Sequence, residues 1–268
     1  MGVCVGKGAN SQNQVLDHQH GRELSANKAE PEASEVAARP AETRGGAVGS
    51  SEGTLLDLLP DAPRRVSLCG TCSDQHQKGF ADKSTQRTGG DESLGSLRVG
   101  YACKKGLKPE SPNQDDFCIW RAGSTSIYGV FDGHGPYGHD VSGFVQDALP
   151  RSFVKEPSFQ TDPAEALSAA FPATHKLCAE SQTQGHFDCT LSGTTATLAM
   201  HRNDSLYLAH VGDSRAVLAR RRDGALVCEE LTTDHKPTCE VERRRIQVAG
   251  GQVRRLEGDI PYRVFLNG

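Results

Sequence analysis

The sequence predicts an α+β fold in which antiparallel strands are flanked by helices. Runs with the character of short strands arrive in groups, whereas a parallel doubly wound sheet would alternate one strand with one helix. Turn residues separate the later strands from one another, as at Arg202-Asn203-Asp204 and Gly212-Asp213-Ser214. Both observations favour hairpin-connected strands over crossover connections.

The individual elements follow from hydrophobic period and flanking turn residues. Three helices are predicted, over 141–154, 164–184 and 238–249. Pro150 is expected to interrupt the first and Pro172 to kink the second. Thr238 is expected to cap the third, and Gly250-Gly251 follows its end. The predicted strands cover residues 98–103, 117–120, 126–132, 194–200, 205–211 and 215–219.

The first 95 residues differ from the rest of the chain in composition and hydrophobic pattern. They contain only one aromatic residue, Phe80, and are rich in Gly, Ala, Ser, Glu and Arg without a sustained period. Such a stretch buries too little apolar surface to offset its chain entropy, so residues 1–95 are expected to be largely disordered. The folded domain is expected over 96–268. The run Leu55–Leu59 is either a short helical docking patch or an incidental apolar cluster.

The extreme N-terminus resembles a lipidation signal. Met1-Gly2-Val3-Cys4 places a glycine after the initiator methionine and a cysteine two residues later, although Gly6 stands where the myristoylation pattern has Ser or Thr. If Gly2 and Cys4 both carry lipids, anchoring to a membrane would be stable, because one myristoyl chain alone binds marginally. The alternative is an ordinary start from which the methionine is removed.

Composition narrows the class of protein. A net charge of -4 gives no reason to expect nucleic acid as a partner, and acidic neighbours favour a solvated surface over an RNA-binding role for the arginine runs 220–222 and 243–245. No apolar run is long enough to span a bilayer, and no secretory signal opens the chain. The nine cysteines are an odd, scattered set, expected to be reduced; Cys69-Gly-Thr-Cys72 lacks a second pair. We expect a cytoplasmic monomer.

The segment Val130–Gly135 carries the clearest chemistry. An apolar strand ends in Asp132-Gly133-His134-Gly135. The Asp132 carboxylate suits a hard cation such as Mg²⁺ or Mn²⁺, and Gly133 lets its own carbonyl approach a ligand. The imidazole of His134 could give a proton to a leaving oxygen. By itself the segment is more often a tight turn.

Five further fragments accompany it in a fixed order. Each alone is explained as a hairpin turn or a helix cap. Together they resemble the metal-dependent type 2C (PPM) family of Ser/Thr protein phosphatases over about residues 98 to 253. The fragments are NQDD at 113–116, SGTTA at 192–196, VGDSRAVL at 211–218, LTTDHKP at 231–237 and ERRRIQVAGGQV at 242–253.

The resemblance implies a four-layer fold and a metal centre. Two antiparallel sheets would pack face to face with helices on both outer surfaces. Two Mg²⁺ or Mn²⁺ ions would lie at one end, bridged by Asp132 and bound by the Gly133 carbonyl. Gln114 and Asp115 match a pair that supports the metals through bound water, and Asp213 matches a ligand of a weaker third metal.

The resemblance also implies the reaction. A metal-activated water would hydrolyse phosphoserine or phosphothreonine in protein substrates, with Asp132 and His134 as catalytic residues and His134 as the general acid. Two departures concern binding. Gln114 stands where the family often has glutamate, and Glu110 stands where many members have a phosphate-binding arginine. Lys108 is the nearest cation and is the candidate contact for the phosphate, or else a solvated surface lysine.

A third departure concerns the end of the chain. Family members continue past Gly268 into a further strand, a helix and two aspartates that bind the metals. We therefore expect residues 96–268 to be a partial domain, incomplete at its C-terminus. The alternative to an enzyme is a catalytically impaired, phosphatase-like module that binds partners.

Overall fold

The computed structural model describes residues 2–7, 16–17, 55–58, 65–71, 83–90, 95, 98–107, 111–255, 258 and 261–266. The helices are α1 (Gly138–Lys155), α2 (Pro163–Thr183) and α3 (Glu240–Val248), with single 3-10 turns at Leu55–Leu58 and Pro157–Phe159. The strands are β1 (Gly2–Lys7), β2 (Leu16–Asp17), β3 (Val66–Gly70), β4 (Thr85–Gly89), β5 (Asp115–Ala122), β6 (Thr125–His134), β7 (Gly193–Thr194), β8 (Ala196–Arg202), β9 (Ser205–Val211), β10 (Val217–Arg222), β11 (Ala225–Glu230), β12 (Gly251–Arg254) and β13 (Arg263–Leu266).

Nine strands form one antiparallel sheet. Its order is β2-β1-β9-β8-β6-β5-β3-β4, with β7 added to the end of β6. Strands β10 and β11 pair separately, as do β12 and β13. The predicted α+β class of antiparallel strands and helices is confirmed. In the described part of the chain, the strands make one large sheet and two small ones, and the second facing sheet of a sandwich is not seen.

The main core lies between one face of the large sheet and the helices α1 and α2. Trp120, Ile127 and Leu198 point from the sheet into this layer and are fully buried. Phe153 of α1 meets Phe159 edge to face, with 5.0 Å between ring centroids. Burying each such side chain contributes roughly 1.5–3 kcal/mol, so this layer holds the helices on the sheet.

A second, smaller cluster covers part of the opposite face. Val66, Leu68, Phe117 and Ile119 form it, and the Tyr101 ring stacks on Phe117 at 4.7 Å. Strand β5 is therefore buried on both faces, because its alternate side chains enter the main core. Burial on two sides explains why its sequence is continuously apolar where a half-exposed strand would alternate.

Strands β1 to β4 all lie inside the stretch that was expected to be largely disordered. Strand β3 pairs with β5 and β4 in the main sheet, and its residues alternate between buried and half-buried. The expectation is wrong for β3 and β4, since five residues are too few to show a period before tertiary pairing is known. Most of residues 1–95 lies outside the described residues.

The run at Leu55 is part of the fold. Leu56 is buried in the main core, and its carbonyl accepts a hydrogen bond from the Arg65 guanidinium at 2.8 Å. A docking patch would expose this side chain, so that hypothesis is wrong for Leu56.

Several element boundaries also differ from prediction. Residues 99–107 form no strand, and α1 continues through Pro150, which is buried against the core. Helix α2 continues through Pro172. The residue that caps helix α3 is Cys239, one residue after the predicted Thr238. Cys239 makes no side-chain capping bond. Packing of each helix outweighs the local signal of a proline or a threonine.

The β10–β11 hairpin projects from the molecule. Nearly all of its residues are exposed. Its two strands pair only with each other, so the hairpin is not part of the large sheet. None of the helices in the described part of the chain is both long and apolar enough to cross a membrane.

A buried histidine pair lies beside strand β9. His210 is almost wholly buried, and its ring stacks on His235 with 4.4 Å between centroids. The Gly212 amide donates a hydrogen bond to Nδ1 of His235 at 3.2 Å. Burial, and after it the facing His235, lower the pKa of His210 to about 4, against the opposing charges of Asp234 and Glu242. The pair is therefore neutral near pH 7.

Acidification is expected to destabilise the fold through His210. The unfolded chain protonates this side chain near its ordinary pKa of 6.5, while the folded chain does so near 4. The contribution of His210 to the free energy of unfolding should be constant above pH 6.5. It should fall by about 3 kcal/mol as the pH drops towards 4. Urea unfolding measured across pH 4–7 should show a smaller slope of the unfolding free energy against pH for His210→Gln than for the wild type. The exposed His201→Gln should keep the wild-type slope; equal slopes in all three proteins would contradict the assignment.

Candidate functional site

Two carboxylates face each other where strands β5 and β6 meet. The antiparallel register pairs Asp115 with Asp132 directly. Burial raises the pKa of Asp115, and the charge of Asp132 raises it further. Two oxygen donors held together against their mutual repulsion are a natural site for a hard divalent cation. The structure thus brings together two of the residues predicted as metal ligands.

Glycines allow three backbone segments to converge beside this pair. The Gly133 amide donates to the Gln114 carbonyl at 3.2 Å. A β-carbon on Gly133 would lie 2.3 Å from the Gly138 carbonyl oxygen, and one on Gly135 would lie 2.1 Å from that of Leu191. Gly135 also has a positive φ of 82°. Larger residues would force these segments apart, which is why glycines bracket His134.

Gln114 has a structural role that its sequence position did not reveal. Its side-chain amide donates a hydrogen bond to the Gly135 carbonyl at 2.7 Å. A glutamate could not donate this bond. The bond holds the loop that follows β6 against the start of β5, so the amide at this position supports the glycine turn.

Lys83 is a site residue that sequence reasoning missed. Its ammonium donates to the Asp115 carbonyl at 2.7 Å and to the Asp116 carboxylate at 2.9 Å. Both charged side chains are almost fully buried. Burial raises the pKa of Asp116, while Lys83 and the amides of Phe117 and Gly70 favour its ionised form. The sequence signal was indirect: an aspartate that begins an apolar strand requires a buried partner.

A chain of hydroxyl groups ties Asp132 to the next loop. The Asp132 amide donates to Thr195 Oγ1 at 3.0 Å, and Thr195 Oγ1 lies 2.7 Å from Ser214 Oγ. Thr197 donates to the Ser214 carbonyl at 2.9 Å. These bonds join the SGTTA and GDSR fragments, so the two motifs form one support behind the acidic pair.

Asp213 lies in that loop among cations. Its carboxylate is half exposed and 3.8 Å from the Lys236 ammonium. Arg215 forms a bidentate salt bridge with Asp234, with hydrogen bonds of 2.6 and 2.9 Å. The Lys236 ammonium lies 3.0 Å from the same carboxylate. The hydrogen bond from Arg215, followed by those charges, holds the pKa of Asp234 well below its usual range. The pair fixes the TDHKP segment against the GDSR loop.

The remaining predicted ligands are not joined into a larger cluster. Across the described ranges, no three side chains of Asp, Glu, His or Cys lie close enough together to hold a metal ion. The roles of Asp213 and of the Gly133 carbonyl as ligands therefore stay predictions. Lys108 and Glu110 lie outside the described residues.

His134 is placed against the neighbouring strand. It pairs with Gly193 in the β6–β7 register, and a β-carbon on Gly193 would lie 2.8 Å from His134 Nε2. The Tyr137 amide donates to Ser192 Oγ at 2.9 Å, which holds the following loop beside it. The imidazole is exposed and lies at the edge of a cavity of about 450 Å³.

Comparison with known proteins gives consistent matches. A family model described as Protein phosphatase 2C matches residues 110–264. "Probable protein phosphatase 2C 35" of Arabidopsis thaliana is 32% identical over 198 residues, which cover 68% of this chain and 56% of that protein. "Probable protein phosphatase 2C 27" of Oryza sativa subsp. japonica is 41% identical over 128 residues, covering 48% of this chain and 34% of that protein.

A solved structure is similar over part of the chain. The serine-threonine phosphatase 2C from Toxoplasma gondii aligns with a TM-score of 0.46 and 24% identity, covering 54% of this chain and 52% of that one. The chain spans about half, or less, of the length of the curated relatives that it matches.

Removing Lys83 is expected to destabilise the protein strongly. Lys83→Met leaves the Asp116 carboxylate buried without its cation, at a cost of about 3–5 kcal/mol in the free energy of unfolding. The double change Lys83→Met with Asp116→Asn removes both charges and should recover most of that loss. Urea unfolding at pH 7 measures all three proteins. A loss below about 1 kcal/mol in the single variant would show that the pair behaves like a surface salt bridge.

Proposed function

Because the chain belongs to the protein phosphatase 2C family, we propose that it hydrolyses phosphoserine and phosphothreonine in proteins with divalent cations. The observation that carries this proposal is the pairing of Asp115 with Asp132 across two adjacent strands. Burial and the neighbouring charge raise the pKa of Asp115, so a cation between the two carboxylates would relieve their repulsion.

The donor set fits Mg²⁺ or Mn²⁺. Both carboxylates offer hard oxygen atoms, and the Gly133 carbonyl is the third donor that we propose. Two ions are expected at this end of the sheet, with a weaker third near Asp213. When bound, the ions supply a water of lowered pKa and neutralise the phosphate oxygens. Asp115, Asp132 and Gly133 would hold them.

The chain's own residues position the other groups. Lys83 fixes the main chain of Asp115, and Gln114 fixes the turn after His134 through the Gly135 carbonyl. His134 would hold a proton on its imidazole and donate it to the serine or threonine oxygen as that oxygen leaves. Lys108 is proposed as a contact for the substrate phosphate.

The protein's setting is a further part of the proposal. We place it in the cytoplasm as a monomer, with phosphoproteins as substrates. Acylation of Gly2 and Cys4 would hold it at a membrane, since two lipids anchor stably where one does not.

Asp132→Asn is expected to abolish metal-dependent turnover. The amide keeps the shape of the side chain but loses the charge that balances a cation, so hydrolysis of a phosphothreonine peptide with Mn²⁺ should fall by about 100-fold or more. Asp223→Asn, at the exposed tip of the β10–β11 hairpin, is the matched control.

Each outcome of that assay separates two hypotheses. Activity that survives a chelator, or survives Asp132→Asn, would contradict the metal-dependent mechanism. A wild-type protein that binds phosphopeptide without turning it over would support the alternative, a phosphatase-like binding module.

Gly193→Ala tests the role of His134 through the leaving group. The added methyl would displace the imidazole from Gly193, while the backbone has no other reason to move. Turnover of a phosphothreonine peptide, whose alkoxide needs a proton, should fall about 10-fold or more. Turnover of p-nitrophenyl phosphate, whose leaving group is stable without one, should change by less than about threefold.

The matched control for this variant is Gly100→Ala. A β-carbon there meets no atom within 4 Å, so both substrates should be turned over at the wild-type rate. An equal loss on both substrates in Gly193→Ala would assign the effect to general damage of the site.

A further inference from the structure

The cavity beside His134 has an apolar wall that the proposed reaction does not use. It holds about 450 Å³ and lies between α1, α2, α3 and the ends of β7 to β9. Val145, Leu149, Val211 and Ile246 line it and are buried. Its volume falls in the range of about 300–1,000 Å³ that is typical of sites for small ligands.

Several polar side chains of the wall already have partners inside the protein. Glu242 is held by Arg245 through contacts of 3.0 and 2.7 Å. The Thr174 hydroxyl donates to a carbonyl of its own helix at 2.8 Å, and Thr194 donates to the Thr195 carbonyl at 2.9 Å. A wall whose polar groups are satisfied in this way favours an apolar ligand, because such a ligand displaces none of these bonds.

The start of the chain runs towards this cavity. Strand β1 pairs with β9 so that Cys4 is opposite His210, with the strands running in opposite directions. The pairing ends there, and Gly2 lies two residues beyond it in the direction of Val211 and Gly212, which line the cavity. Strand β1 also lies beside α2, which forms another wall.

We propose that this cavity binds a saturated fatty-acyl chain attached to the Gly2 amine of the same molecule. The Met1-Gly2-Val3-Cys4 start resembles an acylation signal, and the fold brings that glycine to an apolar cavity of suitable size. After hydrolytic removal of Met1, the Gly2 amine attacks the carbonyl of an acyl thioester. The N–C bond forms, the C–S bond breaks, and the amine proton goes to the departing thiol.

The acyl chain then has two alternative environments. One is the cavity, where it lies alongside His134; the other is a bilayer, to which a single acyl chain binds only marginally and reversibly. Because bilayer binding by one acyl chain is marginal, seating in the cavity would compete with membrane insertion. The inference rests on the acylation of Gly2 proposed above, but it does not depend on hydrolytic activity.

The test uses the full chain co-expressed with an N-myristoyltransferase, with acylation checked by intact mass. Acylated wild type should melt several degrees higher than Gly2→Ala, which carries no acyl group. It should also bind phosphatidylcholine vesicles weakly. Cys178→Trp fills the cavity, so its vesicle-bound fraction should rise several-fold and its gain in melting temperature should disappear. Leu177→Trp, the neighbouring residue outside the cavity wall, should behave as wild type.

A second filling variant covers the case in which Cys178→Trp does not fold. Leu191→Trp adds bulk at an exposed part of the wall, where 60% of the side chain is accessible, and should have the same effects. The proposal is overturned if wild type and Gly2→Ala melt at the same temperature. It is equally overturned if filling and control variants bind vesicles alike, or if no acyl group is found on Gly2.

Discussion

The antiparallel register of β5 with β6 is the constraint on which the site depends. It sets Asp115 opposite Asp132, and a slip of one residue would move one carboxylate to the other face of the sheet. Burial of β5 on both faces fixes that register, because Phe117 and Trp120 would each lose their clusters if the strand shifted. The apolar packing therefore determines where two like charges meet, against their own repulsion.

Much of the fold could be predicted from local patterns. Strand β9 begins and ends where its turn residues place it, and β5 and β6 surround their predicted apolar runs. These inferences succeeded because period and turn chemistry act over a few residues. The nearness of Asp115 and Asp132 was implied by the family resemblance alone, and the register of β5 with β6 sets them opposite each other.

The rest depended on contacts between distant parts of the chain. Strand β3 has too few residues to show a period, and Lys83 stands in a polar stretch with no local sign of burial. The bond from Gln114 to the Gly135 carbonyl joins two motifs that sequence reasoning treated separately. Pro150 stayed helical because packing of α1 outweighs one missing hydrogen bond. Tertiary packing decided each of these cases.

The buried pair of Lys83 and Asp116 links two positions that are 33 residues apart. Neither can be replaced alone without leaving an isolated charge in the protein interior. Substitutions at the two positions are therefore expected to occur together over evolutionary time, or not at all. A lysine in a polar stretch would then co-vary with an aspartate that it meets only in three dimensions.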